Sequence, residues 1–435
     1  MIEIRKNQQL KAQLRFQYPQ ELQNQIKQVL LFKGVSLIKN IFKIQFVQIP
    51  PPIHMCYSNT GLIAGLGGTM LMTQSSIIFT IYSNSNVFFG NIGVVGEFAG
   101  LDTYLMNLLI VMKVEVNTAK NGNIGFFGGN KVSTSVVKNS IFQNFNITTT
   151  SVGILFAFME MTNNSIINTT IQMCNISTSI SAGGFISRAT FYSNIIQNST
   201  VKNINITGTG KYAESIGAMI GQMSSNNLIT SSYLENSSII NNNILGVSVT
   251  AGFIGKITSS SPKTYNISLI DFLLINNNIS GGVFTSGIIA VYSSLVCDKS
   301  ILLLQNLTLS GCNIQCLTGN CSGLVGIFGY DKTQNATLTV KNITMQNILI
   351  SGPSYVAGFV AISQKCVLFT TLQIYNSTMN SIVLSGQNCG MITGFLNGTS
   401  TFDIQTSKTA GNNFVNSTQL QNCASITSGI SQSGC

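Results

Sequence analysis

Hydrolysis of a glycosidic bond needs two carboxylates placed across it. The 381 residues after His54 hold ten: Glu97, Asp102, Glu115, Glu160, Glu214, Glu235, Asp271, Asp298, Asp331 and Asp403. Other catalytic constellations have less to draw on. His54 is the sole imidazole, so a Ser-His-Asp or Cys-His arrangement and an HExxH zinc site have no basis. Ten cysteines stand at 56, 174, 297, 312, 316, 321, 366, 389, 423 and 435. Cys312, Cys316 and Cys321 form the one tight cluster, GCNIQCLTGNCSG. A four-ligand zinc site would need a further nearby Cys or His, and no CxxC pair exists, so a loop staple or buried thiols is the expectation. No GxxxxGK[ST] phosphate loop follows a strand. Catalytic residues: none; cofactor-binding residues and cofactors: none; metal ligands: none.

Asparagine is the more suggestive residue. Sixteen N-x-[ST] sequons begin at Asn146, Asn163, Asn168, Asn175, Asn198, Asn205, Asn236, Asn266, Asn278, Asn306, Asn320, Asn335, Asn342, Asn376, Asn397 and Asn416. They are acceptors for N-linked sugar in a eukaryotic secretory pathway, making a glycoprotein one expectation. An asparagine ladder in stacked turns would leave the same triplets.

The elements that position these residues repeat. Two apolar residues followed by a small one recur, with the small residue at Ala64, Gly96, Gly128, Ala157, Ser187, Gly221, Gly255, Ala290, Gly326, Ala361 and Gly394. The gaps run 32, 32, 29, 30, 34, 34, 35, 36, 35 and 33, a period that marks a solenoid, propeller or array. Three residues before the small position stands Gly in eight copies, 61, 93, 125, 184, 252, 287, 323 and 358, which implies positive φ or a close backbone approach. Gly255→Leu should therefore disrupt stacking more than Gly252→Ala. Each unit shows three short apolar segments, as in GFIGKI, NISLIDFLLI and NNNISGGVF, separated by turn residues.

Ile, Val, Thr and Phe are abundant and Pro is rare, which favours uninterrupted strands. Propeller blades are longer and carry four strands, and no leucine-rich frame recurs. The expectation is an all-β, right-handed parallel β-helix of about eleven coils over 55–435, in which equivalent side chains stack on their own kind. Counted from the preceding small residue, Glu235 sits at +14 and Asp271 at +16, Asp298 at +8 and Asp331 at +5. Neither pair shares a register, so no acid pair is expected.

The pattern of GLIAGLGG at 61–68, GVVG at 93–96, GFIG at 252–255 and GLVG at 323–326 resembles the GLUG-type motif, over roughly residues 56 to 400. GLUG-type repeats occur in large surface and secreted proteins, some of them adhesin-like, and the resemblance implies an exported scaffold without supplying a catalytic residue.

Charge narrows the partners. Residues 1–54 carry eight Lys or Arg against Glu3 and Glu21, a net of +6 out of +10 for the chain. The array has no basic stripe with interleaved aromatics, which argues against nucleic acid. From Pro19 to Lys33, Leu22, Ile26, Val29 and Leu30 fall at helical spacing, so 1–54 is expected to be a basic, short helical or irregular cap on the solenoid's open end or a leader-like segment, with a membrane-surface helix as the alternative. Gln20 to Gln48 lacks the order of a secretory signal, its apolar run being broken by Lys33. The expectation is a non-enzymatic scaffold, extracellular or on the cell surface, adhesive or ligand-presenting, with glycans or surface proteins as partners. A carbohydrate-active β-helix enzyme, a lyase or glycosidase, is the alternative.

Overall fold

The computed structural model describes residues 135–160, 165–190, 195–210, 215–225, 230–259, 265–294, 300–330, 335–363, 369–396 and 400–405, with separate strands on either side. The expected helix from Pro19 to Lys33 lies outside the described residues. Strands pair parallel, each with its equivalent one coil on, so the fold is an all-β parallel solenoid. Among the described residues no helix is long and apolar enough to cross a membrane. Leu37–Ile38 pairs with Met72–Thr73, and Ile41–Gln45 with Ser76–Thr80.

One coil illustrates the rest. It comprises Tyr265–Ile275, Asn278–Gly281, Phe284–Ser286 and Ile289–Ser294. The three apolar segments of the sequence become five faces. Tyr265–Ile275 is folded by the left-handed backbone of Asp271, φ 59°, into a first face, 265–270, and a second, 272–275. The segment NNNISGGVF divides into a third face, Asn278–Gly281, and a fourth, Phe284–Ser286. Ile289–Ser294 is the fifth, which pairs within a separate nine-stranded sheet.

The interior is filled by rows of like residues. On the third face Ile147, Ile176, Ile206, Ile244, Ile279, Ile314 and Ile350 stack in register, each at most 3% exposed. The paired apolar residues before the small position both turn inward: Phe185 and Ile186, Phe253 and Ile254, Leu324 and Val325, and Phe359 and Val360 all join the main core. A bend between the fourth and fifth faces makes this possible, and Phe253 closes edge-on against Phe272 with centroids 4.4 Å apart.

That bend is an inside corner. Eight small residues from Ala157 to Gly394 form one row, because their flanking neighbours pair coil by coil. Four residues earlier a second row of Gly, Ala or Ser runs through Gly153, Gly183, Gly217, Ala251, Ser286, Ser322, Ala357 and Gly390. The two rows meet backbone to backbone. A Cβ at Gly217 would fall 2.7 Å from the Gly255 nitrogen, and one at Gly221 would fall 2.7 Å from the Ala182 carbonyl oxygen. Ser215 Oγ crosses the corner to donate to the Gly221 carbonyl.

This geometry corrects two expectations. Gly61, Gly93 and Gly125 align with Gly153 of the second row, one residue away from the row of Gly184, Gly252, Gly287, Gly323 and Gly358. The eight leading glycines therefore belong to two rows. The expected count of about eleven coils rested on the eleven small residues, and it is too high; eight of those residues, from Ala157 to Gly394, stand in the described row. The leading glycines also serve close approach: none of Gly184, Gly252, Gly287, Gly323 and Gly358 has positive φ, and a Cβ at Gly252 would meet the Gly287 carbonyl oxygen of the next coil.

Gly255→Leu should lower stability by about 1–3 kcal/mol or more, since backbone on both sides leaves no room to relax. Gly252→Ala should lower it less, because Ala218 and Met391 already occupy equivalent bends. Thermal melts of the two variants check this, and equal losses would contradict it.

Candidate functional site

The corners are built by asparagine. Residues with left-handed φ of 45–64° recur in pairs five apart: Asn139 and Asn144, Asn168 and Met173, Asn198 and Asn203, Asn236 and Asn241, Asp271 and Asn276, Asn306 and Gly311, Asn342 and Asn347, and Asn376 and Ser381. Asn tolerates this region because its short polar side chain bonds locally. At the first corner the side chains form a ladder in which each Nδ2 donates to Oδ1 of the coil before: Asn168 to Asn139 at 2.8 Å, Asn236 to Asn198 at 2.6 Å, Asn342 to Asn306 at 2.9 Å and Asn376 to Asn342 at 3.0 Å. A second ladder on the third face joins Asn205 to Asn175 at 2.8 Å, Asn278 to Asn243 at 2.9 Å and Asn313 to Asn278 at 3.1 Å.

Behind the first corner a buried hydroxyl row completes the turn. Ser140, Thr169, Ser199, Ser237 and Ser377 each donate to the carbonyl two residues back, at 2.8–3.0 Å. Several also accept the backbone N–H of the preceding coil, as Ser199 Oγ does from Thr169 at 3.2 Å.

These rows account for most of the sequons. Asn168, Asn198, Asn236, Asn306, Asn342 and Asn376 belong to the first-corner row, and Asn146, Asn175, Asn205 and Asn278 to the third-face row. In the first-corner row the sequon hydroxyl is the outward residue of the second face, as where Thr200 and Ser238 bond at 2.9 Å. The triplet thus restates a turn: Asn at the corner, a buried residue, then an outward Ser or Thr. Asn163, Asn397 and Asn416 lie outside the described residues.

The carboxylates are scattered over different rows. Glu115 shares the third-face row with Asn146, Glu160 lies on the fifth face in line with Thr190, and Asp403 lies on the first face in line with Gln373. Glu235 pairs with Ile270, one position before Asp271, and accepts from Gln197 at 3.4 Å. Asp271 is a rung of the first-corner ladder and accepts from Asn306 at 2.8 Å. Glu97, Asp102, Glu214, Asp298, Asp331 and His54 lie outside the described residues. Among the described residues no group of three or more His, Cys, Asp or Glu is placed to hold a metal ion.

The cysteine cluster separates into two roles. Cys316 and Cys321 form a disulfide across the turn between the third and fourth faces, with Cα atoms 5.7 Å apart. Cys312 is a buried thiol at the second corner, in the row that holds Asn277 one coil earlier, and contacts the Ser310 carbonyl at 3.4 Å. Cys174 is its counterpart at the same corner. Burial pushes the Cys174 thiol up to about 12 and raises that of Cys312, outweighing the hydrogen bonds that oppose it.

Sequence reasoning missed a surface: the open side of the inside corner. A small hydrophobic cluster separate from the main core joins Val249 and Ala251 of the fourth face to Ala290, Val291, Ile327 and Ile362 of the fifth, with Phe284, Tyr355 and Phe395 half-buried against it. Tyr355 and Phe395 reach across the corner with ring centroids 4.9 Å apart. Alternate apolar residues on both walls were the available signal, but only the register brings them together.

No family model matches the chain, and no curated protein matches it. Two solved structures are similar to it: the A-modules of the Azotobacter vinelandii mannuronan C-5 epimerases AlgE4 and AlgE6, at 12% and 11% identity, each covering 81% of this chain and 91% of the other, both with a TM-score of 0.23. Likeness at that level carries no argument about activity.

Asp271 interrupts the first-corner ladder, because an ionised carboxylate has no hydrogen to donate to Asn236. Asp271→Asn supplies the missing donor at a backbone conformation that Asn favours, and should stabilise the protein by about 1 kcal/mol, read as a raised melting temperature. A thiolate is required for alkylation; Cys174 and Cys312 should therefore resist iodoacetamide at pH 8 in the native protein and react once it is unfolded in denaturant, as mass spectrometry of the labelled peptides would report.

Proposed function

We propose that this protein is a non-enzymatic, exported or surface-exposed solenoid scaffold that holds an adhesive or ligand-presenting face. The observation that carries the reading is the use made of its polar groups. Asparagine and hydroxyl side chains are consumed in coil-to-coil ladders, and the described carboxylates sit on separate rows instead of converging on one cleft. Glycoside hydrolysis requires two acids facing one bond, and Glu235 and Asp271, the nearest to such a pair, lie at an outer corner with each engaged by a neighbouring amide.

Export is supported by the Cys316–Cys321 disulfide, since such bonds persist in oxidising compartments. The resemblance of the repeat to GLUG-type surface and secreted proteins points the same way. Of the sixteen sequons, the ladders account for ten without sugar, so glycosylation is a separate proposal.

The test is incubation of the purified protein with a glycan panel, reading both retention and covalent change of each glycan. Retention of a glycan that is recovered unaltered is the expected result. Chain shortening, an unsaturated product or epimerisation would replace this reading with the carbohydrate-active one.

A further inference from the structure

We propose that the groove along the inside corner binds a linear glycan bearing carboxylates, laid parallel to the solenoid axis; this names the ligand for the scaffold reading and rests on it. The groove has two walls whose facing positions form continuous rows; on the fifth face Arg188, Gln222 and Lys256 are half-buried, while Val291, Ile327 and Ile362 are buried against the fourth-face rings. On the fifth face the row runs Arg188, Gln222, Lys256, Val291, Ile327 and Ile362. On the fourth it runs Val249, Phe284, Asn320, Tyr355 and Asn388. Coils are roughly 4.8 Å apart, so the rows make a long shallow track.

Charge selects an anion. Arg188 and Lys256 stand in one row two coils apart; Glu160 lies on the same face one coil before Arg188, in line with Thr190, so Lys256 is the cation on which the argument rests. Arg188 Nε donates to Ser181 Oγ at 3.1 Å, from the fifth face to the fourth, which lays its guanidinium across the groove. Lys256 makes no ion pair among the described residues and lines a recess of about 130 Å³ with Ser248, Val249, Val283, Phe284 and Val291. A fixed guanidinium fork matches a planar carboxylate.

Shape selects a polymer. The recess is smaller than the roughly 300–1,000 Å³ of an enclosing small-molecule pocket, and it continues past the half-buried side chains of Gln222 and Arg188 on the two preceding coils. A peptide would bind by adding a strand to a free sheet edge, yet the backbones of both walls are already paired along the axis. What the walls present instead is half-buried rings, Phe284, Tyr355 and Phe395, interspersed with the amides of Gln222, Asn320 and Asn388. Flat apolar faces beside amides suit sugar rings, whose apolar faces are ringed by hydroxyls.

The experiment measures binding of a galacturonic acid oligomer to the full chain by calorimetry, with a neutral cello-oligosaccharide and a sulfated, carboxylate-free carrageenan oligosaccharide as comparison arms. The oligomer should bind, more weakly as salt is raised, and ahead of both comparisons. Lys256→Glu should weaken it by at least about tenfold, as should Tyr355→Leu, whereas Gln346→Ala on the second face should leave it unchanged. Lys256 is partly exposed, so that variant remains informative if the Tyr355 variant fails to fold. Absence of binding, equal or tighter binding of either comparison glycan, or affinity unaffected by Lys256→Glu would overturn the groove assignment and leave the scaffold reading standing. Shortening or epimerisation of the bound oligomer would instead overturn the non-enzymatic reading while the Lys256 effect still reported on the groove.

Discussion

The structure depends on one steric constraint: at the inside corner, two backbone walls meet with no side chain between them. The fourth-face strand of one coil and the fifth-face strand of the next approach until a Cβ at Gly217 would touch the Gly255 nitrogen. From Gly153 to Gly390 and from Ala157 to Gly394, only Gly, Ala or Ser stands in either row. The bend that results lets two consecutive large residues, such as Phe253 and Ile254, both enter the core, which an evenly alternating strand cannot do. It also makes the cross-section concave, and the groove exists because the corner folds inward.

The outer corners solve the opposite problem. There the chain must turn sharply with its backbone polar groups still paired, and left-handed Asn achieves this while its amide links one coil to the next. A chain with only 8% charged residues draws its surface polarity from these amides and hydroxyls. Where the ladder chemistry fails, as at Asp271, the backbone conformation persists because Asp also tolerates left-handed φ, but one donor is lost. Chemistry and architecture therefore compete for the same residues, and most of the Asn, Ser and Thr are spent on architecture.

Much of this was legible in the residues. The period, the obligatory small position and the inward pairing of the two apolar residues follow from spacing alone, and the asparagine ladder stood as one explanation of the sequons. The bend inside NISLIDFLLI was hidden, because Asp271 sits in an apolar run with no Gly or Pro to mark a turn. Aligning Gly61, Gly93 and Gly125 with Gly252 failed because the two rows are adjacent and both carry glycine, as at Gly183 and Gly184, so a glycine before two apolar residues can belong to either. The groove was invisible for a related reason: Lys256, Phe284 and Val291 belong to different coils, and only strand register makes them neighbours.

The central claim is that the inside corner, where backbone meets backbone, is the most tightly held part of each coil. Native-state amide hydrogen exchange tests it most directly, by comparing Gly221, Gly255 and Gly326 with the outer-corner residues Asn241, Asn276 and Asn347. Exchange at the inside-corner amides that is slower than at the outer corners, and similar from one rung to the next, is the predicted result. Exchange at Gly255 as fast as at Asn276 would contradict it.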